Sequence, residues 1–237
     1  HIQHNHCSLL LDTSGDSLHK RGYRANTTVA PINEVLAAGL IAITQWDGNS
    51  AFYDPMCGSG TIAIEAAYKA LNLPSQWKRN NFAFMRWKDF DLKHWKEYTQ
   101  ERLQASNLEH NFTIHASDVS EKVIKNSKYN YIAAGVDRFV NVTCADIEDI
   151  VVKDSEGILI TNPPYEERII TGEINVLYKK IGDVFKNKFA GFKAYLISSN
   201  IEATKHIGLK AYMKKDLING DLPCKFLGYE LYQGKKQ

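Results

Sequence analysis

Paired cysteines are missing from this sequence. Its 4 cysteines (Cys7, Cys57, Cys144 and Cys224) stand far apart, with no CxxC among them. That argues against a zinc ribbon or a disulfide framework and fits a reducing compartment. Long apolar runs are missing as well. None approaches the roughly 18 to 20 residues of a membrane span, and the opening HIQHNHCSLLLD lacks the layout of a signal peptide. The expectation is a soluble, cytoplasmic protein with no membrane partner. Charge of one sign is scarce: 29 Lys and Arg against 27 Asp and Glu leave a formal net charge of +2. A nucleic-acid partner would therefore be met by a local patch rather than a global field. His1, His4 and His6 with Cys7 invite a metal reading, but no second ligand cluster has suitable spacing. We expect no metal there, only a strand entering from an upstream segment. Internal repeats and low-complexity linkers are also lacking.

What is present suits one sizeable core with a small appendage: 237 residues, 44% of them hydrophobic. Residues 7–12, CSLLLD, read as a short strand, followed by a turn and a basic ribbon, HKRGYR. A helix is predicted over 30–46, with Pro31 near its first turn and Ile32, Val35, Leu36, Leu40 and Ile43 at helical spacing. AFYD is a strand, PMCGSG a loop and TIAIEAAYKAL a helix. Residues 72–110 are polar and aromatic, an expected insertion ending in a helix. Strand, helix and strand then follow as FTIHASD, SEKVIKNSKYNYIAAG and FVNVTCAD. GILITN is a strand, 173–189 a helix and KAYLISSN a strand, and two alternating runs flank Asn219-Gly220-Asp221 as a hairpin. This alternation from 51 to 200 predicts an α/β fold, a mostly parallel sheet with helices on both faces and an antiparallel hairpin at one edge.

The stretch FYDPMCGSGTIAIEAA is a strand, a glycine loop and a helix. Gly58 and Gly60 let backbone approach a ligand closely, and the helix start offers unpaired N–H groups to an anion. There is no third glycine and no lysine, so neither the dinucleotide GxGxxG fingerprint nor a phosphate-binding GxxxxGK[ST] loop is met. Asp54 at the loop's start suits a ligand carrying an ammonium beside a carboxylate. Alone, the loop is equally a tight turn. Two more acids shift the balance. Asp118 ends the next strand, where a carboxylate can bind both hydroxyls of a ribose, although its distance from the loop exceeds the usual spacing. Asp146 ends the third, where it could accept from an exocyclic adenine amine. Together they describe a site for an amino acid joined to an adenosine.

At the end of the fourth strand stands NPPY. The exocyclic amine of a base is a poor nucleophile, because its lone pair is delocalised into the ring. The Asn162 side-chain oxygen and the Pro163 carbonyl could hold its two hydrogens and aim the lone pair at an electrophilic methyl. Pro163 and Pro164 would make those acceptors rigid. Tyr165 would stack on the base, which must be unpaired or flipped out. In isolation, Asn-Pro-Pro is also a common turn.

With DPMCGSGT and NPPY together, the chain resembles the AdoMet-dependent RNA methyltransferases that act on exocyclic amines. More closely, it is similar to the catalytic part of the THUMP-containing 23S rRNA guanine-N2-methyltransferases. LHKRGYR, APINEVLAAGLI and GDVFKNKFAGFKAYLISSN follow that pattern, so the resemblance covers nearly all of the chain. It implies a Rossmann-like, seven-stranded methyltransferase fold, S-adenosyl-L-methionine as donor without a metal, and N2 of a guanine in large-subunit rRNA as acceptor. The implied cofactor residues are Asp54, Pro55, Cys57, Gly58, Ser59, Gly60, Thr61, Asp118, Val119, Asp146, Ile147 and Asn162; the implied catalytic motif is Asn162 to Tyr165. It also implies an upstream THUMP-like domain, with residues 1–24 its remnant or linker and 25–237 the catalytic domain. NPPY serves adenine-N6 methyltransferases too, so the motif by itself leaves the base open.

Lys20, Arg21 and Arg24 are expected as a phosphate-contacting patch, and Arg79, Arg86 and Lys88, interleaved with aromatics, as contacts to single-stranded RNA. The aromatic segment is equally a solvated loop pinned to the core. Two rival functions remain. A nucleotide-dependent oxidoreductase would need GxGxxG and has no use for NPPY. A non-catalytic RNA-binding module would be expected to have lost part of a motif set that is intact here.

Overall fold

The computed structural model describes residues 1–24, 31–164 and 171–232. Two short strands, β1 (Ile2–Gln3) and β2 (His6–Cys7), pair antiparallel at the start. The expected strand over 7–12 does not extend past Cys7, and Leu9, Leu10 and Leu11 stand 95%, 85% and 72% exposed. Three adjacent leucines carry a strand-like composition, but none of the described residues pairs with them.

Helix α1 (Glu34–Thr44) begins where Asn33 caps it, its side-chain oxygen accepting from the Val35 and Leu36 N–H groups at 2.9 and 3.3 Å. Its buried stripe is Glu34, Ala37, Leu40, Ile41 and Thr44, while Val35 is half exposed. Of the predicted face, Ile32 and Leu40 are buried and Leu36 and Ile43 pack against the core, so Val35 is the one member that turns outward. Five parallel strands follow: β3 (Ala51–Asp54), β4 (Ile114–Asp118), β5 (Val140–Cys144), β6 (Gly157–Thr161) and β7 (Phe192–Ser198). The hairpin β8 (Met213–Asn219) and β9 (Leu222–Glu230) turns at Gly220, φ +64°, and adds β9 antiparallel to β7. The sheet runs β5-β4-β3-β6-β7-β9-β8.

Helices α2 (Thr61–Ala70), α4 (Glu121–Ala134) and α5 (Thr171–Lys188) make the crossovers, with α3 (Leu92–Gln104) between α2 and β4 and a short α6 (Ile201–Thr204) after β7. Period-two alternation divides the core between the two faces of the sheet. Phe52, Ile158, Ile160 and Tyr195 join one cluster with Leu40, Ile64 and Tyr131. Their neighbours Tyr53, Leu159, Ala194 and Leu196 join the other with Tyr178, Ile181 and Phe185.

The chain leaves β3 toward β4 and β5 on one side, then returns to β6 and β7 on the other. Between β3 and β6 the order reverses. The crevice outside the carboxyl ends at such a switch point is where open α/β sheets take ligands. Asp54 ends β3 and Asn162 follows β6, so the sequence motifs flank that crevice.

Candidate active site

The glycine loop is bolted down from two sides. The Cys57 N–H donates to the Ser117 carbonyl at 2.9 Å, and the Gly58 N–H donates to Asp118 Oδ2 at 3.1 Å. Ser117 Oγ reaches the Pro55 carbonyl at 3.3 Å, while Asn130 Nδ2 of α4 donates to the Ser59 carbonyl at 2.9 Å. Gly60 adopts φ +82°, and the ring of Tyr131 fills the space that a Cβ there would need. Gly58 is also left-handed, at φ +53°, but open space lies where its Cβ would be. One glycine answers to packing and the other faces the crevice. Asn130 and Tyr131 were missed from sequence, where they read only as part of an amphipathic helix.

Gly60 opens α2 without a side-chain cap. The first N–H groups of that helix are therefore available to an anion, aided by the dipole. Thr61 Oγ1 sits 3.1 Å from Ser59 Oγ. Asp54, fully buried, has no hydrogen-bond partner on either carboxylate oxygen. Burial pushes its carboxyl well above the usual range, the nearby Asp118 adds to the rise, and the Ala63 N–H, close by but outside hydrogen-bond geometry, opposes it. The Cys57 thiol is likewise raised by burial, and then by Asp54 and Asp118. An unpaired buried carboxylate is costly, so its retention here points to a cationic ligand group.

Thr161 Oγ1 and Asn162 Oδ1, across the switch point, are also buried without partners. Pro163 is buried and Pro164 exposed. Tyr165 lies outside the described residues. Asp118 uses Oδ1 to accept from the Ser120 N–H at 3.1 Å, so both its oxygens hold backbone and keep only their remaining lone pairs for a ligand. Asp146 accepts from the Glu148 N–H at 3.0 Å and lies 3.6 Å from the Lys180 ammonium. Beside the acids, Val119 is 69% exposed and Ile147 is buried.

The expected basic patch is redistributed. Arg21 pairs with Glu65 at 3.3 Å, and Glu65 also accepts from the Tyr23 hydroxyl at 3.0 Å. Arg24 donates to Thr61 Oγ1 at 2.9 Å and faces Glu34 at 3.4 Å. Arg79 donates to the Ser14 and Asp16 carbonyls at 2.7 and 3.0 Å. All three guanidinium groups hold partners within the chain, so their part in the fold stands beside the expected phosphate contacts. Lys20, Arg86 and Lys88 are exposed. Glu65 carried a signal that could have foreseen this, because an acid inside the apolar run TIAIEAAY needs an internal cation. Among the described residues, no three His, Cys, Asp or Glu side chains gather to hold a metal ion, and no helix is long and apolar enough to cross a membrane.

The family model for the RMKL-like methyltransferase domain (UPF0020) matches residues 21–227. The chain belongs to this family of AdoMet-dependent methyltransferases. A Synechocystis protein named "Putative RNA methyltransferase slr0064" is 38% identical over 98% of this chain and 61% of its own length. A "Ribosomal RNA large subunit methyltransferase K/L" from Shewanella baltica is 35% identical over 98% of this chain and 33% of its own. The chain thus spans only part of these longer relatives. The crystal structure of "SMU.472, a putative methyltransferase complexed with SAH" superposes with a TM-score of 0.87 at 30% identity, covering 94% of this chain and 58% of that one. The seven-stranded methyltransferase architecture expected from sequence is borne out.

Proposed function

We propose that the chain transfers a methyl group from AdoMet to an exocyclic base amine in RNA, N2 of a guanine in large-subunit rRNA. The observation that carries this reading is the set of buried, unpartnered oxygens on Asp54, Thr161 and Asn162 around one switch point. AdoMet fits the crevice: it brings an ammonium for the unpartnered Asp54, a carboxylate for the start of α2, and hydroxyls and an adenine amine for Asp118 and Asp146, while Asn162 is left for the target amine. When bound it supplies a methyl group activated by the sulfonium.

The chain's own residues then do three things. Asp54, the loop from Pro55 to Thr61, and the strand-end acids hold and orient the donor. The Asn162 side-chain oxygen and the Pro163 carbonyl accept the two hydrogens of the target amine, fixing its lone pair in one direction. Tyr165, assigned from sequence, stacks on the flipped base. Rigidity at Pro163 and Pro164 reduces what must be ordered when substrate arrives. The names of the two longer relatives support RNA as substrate class, and the resemblance supports guanine.

The test is methyl transfer from labelled AdoMet to rRNA, followed by nucleoside analysis. N2-methylguanosine is expected. N6-methyladenosine would redirect the reading to adenine, and no transfer to any RNA would reject it.

A further inference from the structure

The segment between α2 and β4 builds an aromatic cleft that neither hydrophobic core uses. Phe84 lies 5.0 Å from Trp95 and 5.8 Å from Phe90, ring centre to ring centre, and stacks on Phe82 at 5.2 Å. None of these rings belongs to the clusters on the sheet. The cleft has a volume of about 440 Å³ and is closed on one side by Thr13. That lies within the range of sites for small organic groups, roughly 300 to 1,000 Å³.

This cleft is prebuilt. The Ala83 and Phe84 N–H groups each donate at 3.2 Å, to the Ser14 and Thr13 carbonyls. Arg79 ties the same two stretches together and lies over the Phe82 ring at 4.4 Å. At the mouth, Trp87 and Tyr98 remain 37% and 50% exposed. Trp87 packs edge-on against Phe84, and Tyr98 lies tilted against Trp95, so both rings are held in place while keeping exposed surface for a partner.

The chemistry around the rings narrows the occupant. Flat aromatic faces offer stacking, which any nucleobase can accept. Arg86 and Lys88 are exposed and join none of the ion pairs among the described residues, so two cations beside the cleft are free for phosphates. Asp91 Oδ1 is engaged at the start of α3, accepting from the Lys93 and His94 N–H groups at 2.8 and 3.0 Å. Asp89, exposed on the lining, offers an acceptor for an N–H on a base edge.

We propose that this cleft binds an unpaired nucleobase of the RNA substrate, stacked on Trp87 and Tyr98, with Arg86 and Lys88 meeting the flanking phosphates. It rests on the RNA reading above and adds a second recognition point away from the methyl-transfer crevice.

The experiment is fluorescence anisotropy of the chain with a labelled single-stranded RNA of roughly twelve nucleotides, and with the same RNA as a duplex. Parent, Trp87→Ala, Tyr98→Ala and Arg86→Ala are compared, with AdoMet affinity measured alongside. Each ring variant should weaken single-strand binding roughly tenfold or more, leaving duplex binding and AdoMet affinity unchanged. Arg86→Ala should weaken both RNA forms and flatten the salt dependence. Parental single-strand affinity in both ring variants overturns the proposal, as does equal loss on duplex or failure of the parent to bind single-stranded RNA. Ring variants that change self-association while RNA affinity holds would make the cleft a protein-docking surface and also overturn it. The enzymatic reading is separable: ring-dependent RNA binding without methyl transfer rejects that reading alone, and methyl transfer with normal ring variants rejects the cleft alone.

Discussion

Asp118 and Gly58, 60 residues apart in sequence, meet at 3.1 Å, the carboxylate of one accepting from the backbone N–H of the other. The acid at the end of β4 thus shapes the glycine loop before any ligand arrives. Removing it should do two things at once. Asp118→Ala should weaken AdoMet binding by roughly 1.5 to 3 kcal/mol, the scale of hydrogen bonds to a charged group, and should also lower thermal stability. Asp118→Asn, whose oxygen still accepts from one N–H, should fall between. Calorimetry and melting curves decide it; unchanged AdoMet affinity in Asp118→Ala would remove this residue from the site.

Asp54 should trade stability for binding. Its carboxyl is raised in the fold, chiefly by burial. A raised acid is fully tolerated below its unfolded pKa of about 3.9, and stability is lost as pH climbs toward the folded value. Asp54→Asn should therefore melt higher than the parent at pH 8, with the gain shrinking toward pH 4, while AdoMet binding falls. Parental binding of AdoMet in addition should weaken as pH drops and Asp54 takes up a proton. A variant that melts lower at every pH would show that the buried carboxylate has a partner after all.

The two loop glycines should fail differently. Gly60→Ala sets a methyl against the Tyr131 ring at φ +82°, so it should lower both melting temperature and AdoMet affinity. Gly58→Ala meets open space at φ +53°, so its stability cost should be near 1 kcal/mol, with the larger loss in AdoMet binding. Equal melting temperatures for the two variants would contradict this assignment.

Arg21 and Glu65 side chains are 7% and 2% exposed. Arg21→Ala leaves an acid buried without its cation and should destabilise the fold by roughly 3 kcal/mol. The salt dependence of RNA binding should be unaltered. A stable variant with weakened RNA binding would support the phosphate-contact reading.

Much of this was legible in the sequence, because period-two and helical patterns report burial directly. The strands ending at Asp54, Asp118 and Thr161 and the hairpin at Gly220 lie where they were expected. So does the end of α4 at Gly135. What could not be read was direction. Arg21 and Arg24 look like a basic ribbon, and Arg79 like part of a basic-aromatic insertion, until the fold supplies Glu65, Glu34 and backbone carbonyls for them. Leu9 to Leu11 look like a strand, yet a strand needs a partner that local pattern cannot reveal. The cleft around Phe84 joins residues near 13 to residues near 95, a juxtaposition that only tertiary structure creates.

Asn162 carries the central claim, that a rigid acceptor aims the nucleophile. The measurement is single-turnover methyl transfer to RNA at saturating AdoMet, for the parent, Asn162→Ala and Asn162→Asp, with AdoMet affinity determined for each. An interaction that orients the amine acts on the transition state, not on donor binding. Asn162→Ala should therefore bind AdoMet nearly as the parent does while transfer collapses by roughly a hundredfold or more, and Asn162→Asp should lose less, since a carboxylate still accepts the amine hydrogens. Transfer at the parental rate by Asn162→Ala, with AdoMet bound, would contradict the account.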